Sequence, residues 1–221
     1  MPNLNSIDWE QFLIHVIVVV LSITLHEFGH AFSADKLGDP TPRRDGRITL
    51  WPDKHLDPLG FIMILVTSLG VRAIGWGKPV MVNPRNFKNP RRDMMIVAAC
   101  GPLMNLIIAL VFGAVLRIVI HAHPETASDW IEQSVSGRFV WSFVILNLFL
   151  MCFNLIPMHP LDGGKILSSL LPYEQSVQFD RFFYQFGPMI LLFLIFMGGN
   201  VLGMIIGPPV TTLLRLIVGG F

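Results

Sequence analysis

Long apolar stretches alternate with short polar segments along the chain, and the lengths of those stretches are the first signal. A helix needs about 20 mostly apolar residues to cross the hydrocarbon core of a bilayer. Residues 12–34, 94–120, 139–158 and 183–206 meet that requirement and predict four spans. Residues 208–221 are apolar but short and open on Pro208-Pro209, which predicts a partial or tilted fifth span. Residues 59–77 read differently. Gly60, Gly70, Gly75 and Gly77 punctuate them and Arg72 interrupts them. Non-helical backbone is tolerated at membrane depth only where protein or a water-filled cavity covers it. The stretch near 59–80 is therefore expected to be a re-entrant or β-hairpin-like element. The fold class expected is an α-helical polytopic membrane protein with about five or six membrane segments.

Composition agrees with that pattern. Of 221 residues, 52% are hydrophobic and 14% charged, against about 25% charged in an average soluble domain. The length fits one integral-membrane domain over 1–221, with a core of about 12–170 and C-terminal spans over about 183–221. A formal net charge of +1 offers no basic field for nucleic acid. Cys100 and Cys152 lie in apolar runs, which excludes a disulfide framework and a four-cysteine zinc site. Lysine and arginine gather in 36–54 (Lys36, Arg43, Arg44, Arg47, Lys54) and in 78–92 (Lys78, Arg85, Lys88, Arg91, Arg92). The loop 121–137 has neither and holds Glu125, Asp129 and Glu132. The positive-inside rule puts both basic loops in the cytoplasm, 121–137 and the N-terminus outside, and makes the element between the basic loops enter and leave on one side.

Three groups in the first span resist this apolar setting: His26, Glu27 and His30, within LHEFGH. Ionisable side chains inside a span are functional candidates by default. Positions 26 and 30 share one helix face about one turn apart. Two imidazoles so placed can hold one Zn²⁺, with the intervening glutamate as general base. A catalytic zinc takes three protein ligands. Past the third span, at the same end, comes NLIPMHPLDGGK, residues 154–165. Asp162 is the foremost oxygen ligand there, and His159 is its rival. A helix N-cap is the alternative role for Asp162. His15, on the outer half of the first span, reads as a buried hydrogen-bonding group, and His55, beside Asp57, as a turn or gate contact.

Taken together, HEFGH in one span and NLIPMHPLDGG in a later one resemble the site-2 protease family of intramembrane zinc metalloproteases. Gly101-Pro102-Leu103-Met104-Asn105, His55-Leu56-Asp57-Pro58-Leu59-Gly60 and Gly75-Trp76-Gly77-Lys78-Pro79-Val80 add to the resemblance. It implies one Zn²⁺ per chain on His26, His30 and Asp162, with Glu27 as catalytic base. It implies that Asn154 supports substrate backbone or oxyanion, and that Asn105 is a polar packing or active-site support residue. The implied activity is hydrolysis of peptide bonds within or near transmembrane segments of membrane-protein substrates in the bilayer. The implied location is a cell membrane, crossed several times, with the active site toward the cytoplasm. The substrate is expected to lie extended beside residues 60–80, with 68–77 supplying an edge. The chain has no stretch long enough for a PDZ or CBS domain, and an accessory regulator is compatible with this reading. The contrasting reading is a metal-binding or transport protein that uses the same intramembrane ligands.

Overall fold

The computed structural model describes residues 7–71, 75–196 and 199–219. Among them are nine α-helices, two short 3₁₀ helices (Pro52–Lys54 and Pro84–Asn86) and no strand. The α-helices are α1 (Trp9–Leu37), α2 (Thr41–Arg44), α3 (Pro58–Ser68), α4 (Pro90–Ala122), α5 (Ala127–Gln133), α6 (Val135–Asn154), α7 (Asp162–Leu170), α8 (Tyr173–Phe196) and α9 (Gly199–Val218). Five of the described helices (α1, α4, α6, α8 and residues Val201–Val218 of α9) are long and apolar enough to cross a membrane. The protein is a multi-pass helical membrane protein.

Local chemistry sets the helix ends. Asp8 accepts from the Gln11 N–H at 2.9 Å to start α1, and Gly38 ends it with φ of 111°. That conformation suits a residue without Cβ. Asp57 caps α3 by accepting from Leu59 and Gly60, with Pro58 at the first helical position. Ser134 caps α6 by accepting from Gly137. Helix α4 is central. Ile14 and Val18 of α1 meet Ile108 of α4 and Phe143 of α6, and Phe112 stacks on Phe143 with ring centroids 4.2 Å apart. Ala109, Leu116, Val144, Leu148 and Val218 join α4, α6 and α9 in a second apolar cluster. The side chains left exposed are largely apolar, among them Leu110, Val111, Ile118 and Met204, as suits helices facing lipid.

The element near 59–80 is re-entrant. Helix α3 leads away from Leu56, and from Gly75 the chain runs without regular secondary structure. Its two ends meet at an antiparallel bridge between Leu56 and Gly77, and Lys78 N–H donates to the His55 carbonyl at 2.8 Å. Entry and exit are thus on one side. Arg72 lies outside the described residues. The return packs closely, since a Cβ on Gly60 would run into the Trp76 carbonyl and one on Gly75 into Ile64.

The C-terminal boundaries differ from the hydropathy reading. The fourth long helix covers 173–196 rather than 183–206, because the polar turns of 173–182 continue the helix while lowering its hydropathy. The last stretch is a 20-residue helix, with Pro208 and Pro209 inside it. Prolines are tolerated in membrane helices where neighbours satisfy the freed backbone groups. Gly198 lies outside the described residues.

Candidate metal centre

Helices α1, α4 and α7 converge on one buried point. His26 and His30 project from α1, and Asp162 opens α7. All three are less than 9% exposed. Asp162 Oδ2 lies 3.2 Å from His26 Nε2 and 3.1 Å from His30 Nε2, and the two Nε2 atoms are 3.1 Å apart. The donors therefore form a nearly equilateral triangle. Three ligands bound at about 2.0–2.1 Å to a tetrahedral Zn²⁺ stand about 3.3 Å from one another. This donor set fits zinc in both size and chemistry.

The hydrogen bonds behind the imidazoles point the same way. His30 Nδ1 lies 2.7 Å from the Val97 carbonyl, which can only accept. His30 therefore carries its proton on Nδ1 and presents the Nε2 lone pair. For His26 the argument runs through two asparagines. Asn147 Nδ2 donates to the Phe143 carbonyl and to Ser22 Oγ, both at 2.8 Å. Its Oδ1 then accepts from Asn105 Nδ2 at 2.8 Å. Asn105 Oδ1 is left to accept from His26 Nδ1 at 2.6 Å. A backbone carbonyl of α6 thus fixes the His26 tautomer at the end of a fully buried chain. Orientation of this kind is what metal-ligating histidines require.

Glycines permit the convergence. A Cβ on Gly101 of α4 would collide with both imidazoles, and one on Gly29 of α1 would meet the Cys100 carbonyl and Met104. Gly163 and Gly164 let the loop 155–161 fold over the start of α7; a Cβ there would strike the carbonyls of Leu155 and Ile156 or the backbone of Met158 and His159. Asp162 does not cap its helix. The cap position is Leu161, and the Asp162 carboxylate is engaged by the imidazoles and, through Oδ1, by Lys165 Nζ at 3.0 Å.

A cavity of about 340 Å³ opens on this group, lined by Glu27, Pro79 to Val82, Asn154, Asp162 and Lys165 among others. A second, more apolar one of about 250 Å³ reaches His26 and Glu27 from Gly75 to Gly77 and α6. The only ion-pair partner of Glu27 among the described residues is Arg47, 3.7 Å away. Asn154 Nδ2 donates to the Leu150 carbonyl at 2.9 Å and has a second N–H. His159 is turned elsewhere. It bonds Asp180 at 2.9 Å and stacks on Tyr184 of α8. His15 makes no hydrogen bond among the described residues and instead lines an apolar pocket with Val19, Ile64 and Phe149, which corrects the hydrogen-bonding role expected for it. His55 is buried and bonds the Thr49 carbonyl at 2.7 Å. The sequence reading passed over Ser22, Asn147, Lys165 and Arg47. Two of these carried a signal, since Ser22 stands one turn before His26 and Asn147 is a polar residue inside an apolar span.

The loop below the site is a polar clasp. Asp39, fully buried, accepts from Thr41, from the Asn83 N–H at 2.7 Å and from Asn86 Nδ2 at 2.6 Å. Burial opposes its charge, but those hydrogen bonds prevail and hold the carboxyl below its usual range. Burial also lowers the Arg47 pKa, against the pull of Glu27 and Asp45, and lowers that of His55 against its bond to Thr49.

Comparison with known proteins gives a consistent picture. The family model for peptidase family M50 matches residues 14–198. YwhC of Bacillus subtilis is 37% identical over 206 residues, which cover 91% of this chain and 89% of that protein. Rip2 of Mycobacterium tuberculosis is 31% identical over 70% of this chain and 56% of its own length. The zinc metalloprotease MJ0392 of Methanocaldococcus jannaschii is 29% identical over 76% of this chain and 36% of its own. No solved structure matches.

Proposed function

From the premise that this chain belongs to peptidase family M50 and is a zinc metalloprotease, we propose that it cleaves peptide bonds within or near transmembrane segments of membrane proteins. The observation that carries this reading is the triangle of His26, His30 and Asp162 donors, set among membrane-length helices in the wall of a cavity that also holds Glu27. One Zn²⁺ on those three residues would supply Lewis acidity, polarising the scissile carbonyl and lowering the pKa of the attacking water. Glu27 takes the proton of that water and passes it to the leaving amine. Asn154 turns its free N–H toward the developing oxyanion. Asn105 holds the His26 ring.

The substrate has to be unwound, because a helix hides its amides in internal hydrogen bonds. Residues 80–82 offer the complementary edge. They have no regular secondary structure, run into Asn83 in the β conformation, line the cavity, and their backbone groups make no hydrogen bond among the described residues. Adding a strand to such an edge pairs the substrate backbone. In this reading the edge is 80–82, later in the chain than the glycine-rich stretch 68–77. The site faces the cytoplasm in this reading, since both basic loops lie at its end of the bundle, tied together by Asp39 and Arg47.

The test is cleavage of a single-span apolar reporter by the purified protein in liposomes. The parent is expected to cut it, and Glu27→Gln to lose about 10²–10⁴-fold in rate with zinc still bound. A Glu27→Gln protein that loses its zinc would instead support a ligand role for Glu27 and the transport reading.

A further inference from the structure

Arg47 is a buried guanidinium that the mechanism above does not use. It is 4% exposed. Nη2 lies 2.5 Å from the Lys78 carbonyl and Nη1 3.3 Å from the Pro79 carbonyl. Nη2 is also 3.7 Å from Glu27 Oε2, while Nε is buried with no partner. Glu27 makes no hydrogen bond among the described residues. We propose that Arg47 is a positioning residue for the peptidase reaction: it ties the Glu27 carboxylate to the backbone of residues 78–79, so that the general base and the substrate-receiving edge keep one register. This rests on the reading of Glu27 as base and of 80–82 as edge.

The geometry suits that role. At 3.7 Å the guanidinium attracts the carboxylate without hydrogen-bonding it, so the oxygen lone pairs stay free to accept a proton from water. The same rigid fork grips two successive carbonyls just before the unpaired stretch 80–82, a hold that a lysine ammonium cannot reproduce. Gly77 brings the edge still closer to the base, since a Cβ there would stand 3.4 Å from Glu27 Cγ. Arg47 is itself held in place. Gly46 turns with φ of 68°, and Arg47 N–H donates to the Pro42 carbonyl at 2.8 Å. The loop 38–57 therefore grips the chain on both sides of 80–82, through Arg47 and the His55 carbonyl at one end and Asp39 at the other. A fastening of carbonyls alone needs only neutral donors. A buried cation with an unsatisfied Nε is costly unless it faces a charge, and the charge it faces is the base.

The experiment titrates zinc-loaded, detergent-solubilised protein with a peptidyl hydroxamate bearing apolar side chains. Its hydroxamate meets the metal and the base, and its peptide lies along the edge. Arg47→Gln is expected to keep the parent's zinc per chain and to bind the probe about tenfold or more weakly, with Arg47→Lys in between. In a Glu27→Gln background the further loss from Arg47→Gln is expected to shrink to about threefold or less, because the two residues act together. Parent-like affinity in Arg47→Gln, or an equal loss in both backgrounds, overturns the proposal. Should Arg47→Gln fail to fold, parent-like affinity in Arg47→Lys overturns it, and a loss confined to the Glu27 background supports it. A parent that holds zinc and does not bind the hydroxamate overturns the peptidase reading itself, and this inference with it.

Discussion

Each imidazole of the ligand group is aimed by an acceptor behind it, and this is where single substitutions should act. Replacing Asn105 by alanine leaves His26 Nδ1–H and Asn147 Oδ1 buried without partners. Zinc affinity is expected to fall about 10–100-fold, the usual cost of losing an orienting partner, as read by competition with a chelating dye. Zinc per chain, measured by elemental analysis, should vanish in His26→Ala, His30→Ala and Asp162→Ala. It should persist in His159→Ala, whose ring is committed to Asp180. Gly101→Ala tests packing rather than ligation: its methyl would occupy the space of both rings, so zinc should be lost together with thermal stability. The HExxH residues were legible in sequence because charge inside a span is conspicuous. Lys165 and Arg47 were not, because a cation outside an apolar run looks like any solvated one until its neighbours are known.

In the proposed reading some elements would hold the metal and others would receive substrate, and the two should fail separately. A proline introduced at exposed Met81 removes an N–H group of the unpaired edge and spares Val82, which packs on the cluster that includes Ala34 of α1 and Val97 of α4. Reporter cleavage is expected to be abolished while zinc per chain stays at the parent level; cleavage that survives would discard the edge. The sequence showed that the stretch near 59–80 could not be a simple span, because its glycines and Arg72 break an apolar run too short to cross. It did not show that the first half is helical and the second without regular structure. That division depends on Asp57 capping α3 and on the bridge from Leu56 to Gly77, a contact 21 positions apart. The end of α8 was misplaced for a related reason, since hydropathy marks where a helix meets lipid rather than where it stops.

At the scale of the whole molecule, the clasp of residues 38–57 makes the protein sensitive to acid. Asp39 has a lower pKa in the folded protein than in the unfolded chain. Its stabilisation is therefore complete above the ordinary aspartate value of about 4 and fades as pH falls through the folded value. His55 also has a lowered pKa, so the unfolded chain takes up its proton first, and stability declines as pH drops below about 6.5. Both effects share one sign. Hydrogen exchange in 38–57 and 78–86 is expected to quicken as pH falls from about 7 to about 4, after correction for the intrinsic pH dependence of exchange, and Asp39→Asn should flatten the lower part of that response. Sequence by itself determined what is local or compositional: the apolar runs that become spans and the histidine pair one turn apart on a helix. Tertiary structure decided what depends on distant residues meeting. It brought Asp162 within 3.2 Å of two imidazoles more than 130 positions earlier, sent His159 to α8, and put Arg47 between Glu27 and the carbonyls of Lys78 and Pro79. A linear pattern records which side chains can ligate or ionise; which of them share one small buried volume is set by how the helices pack.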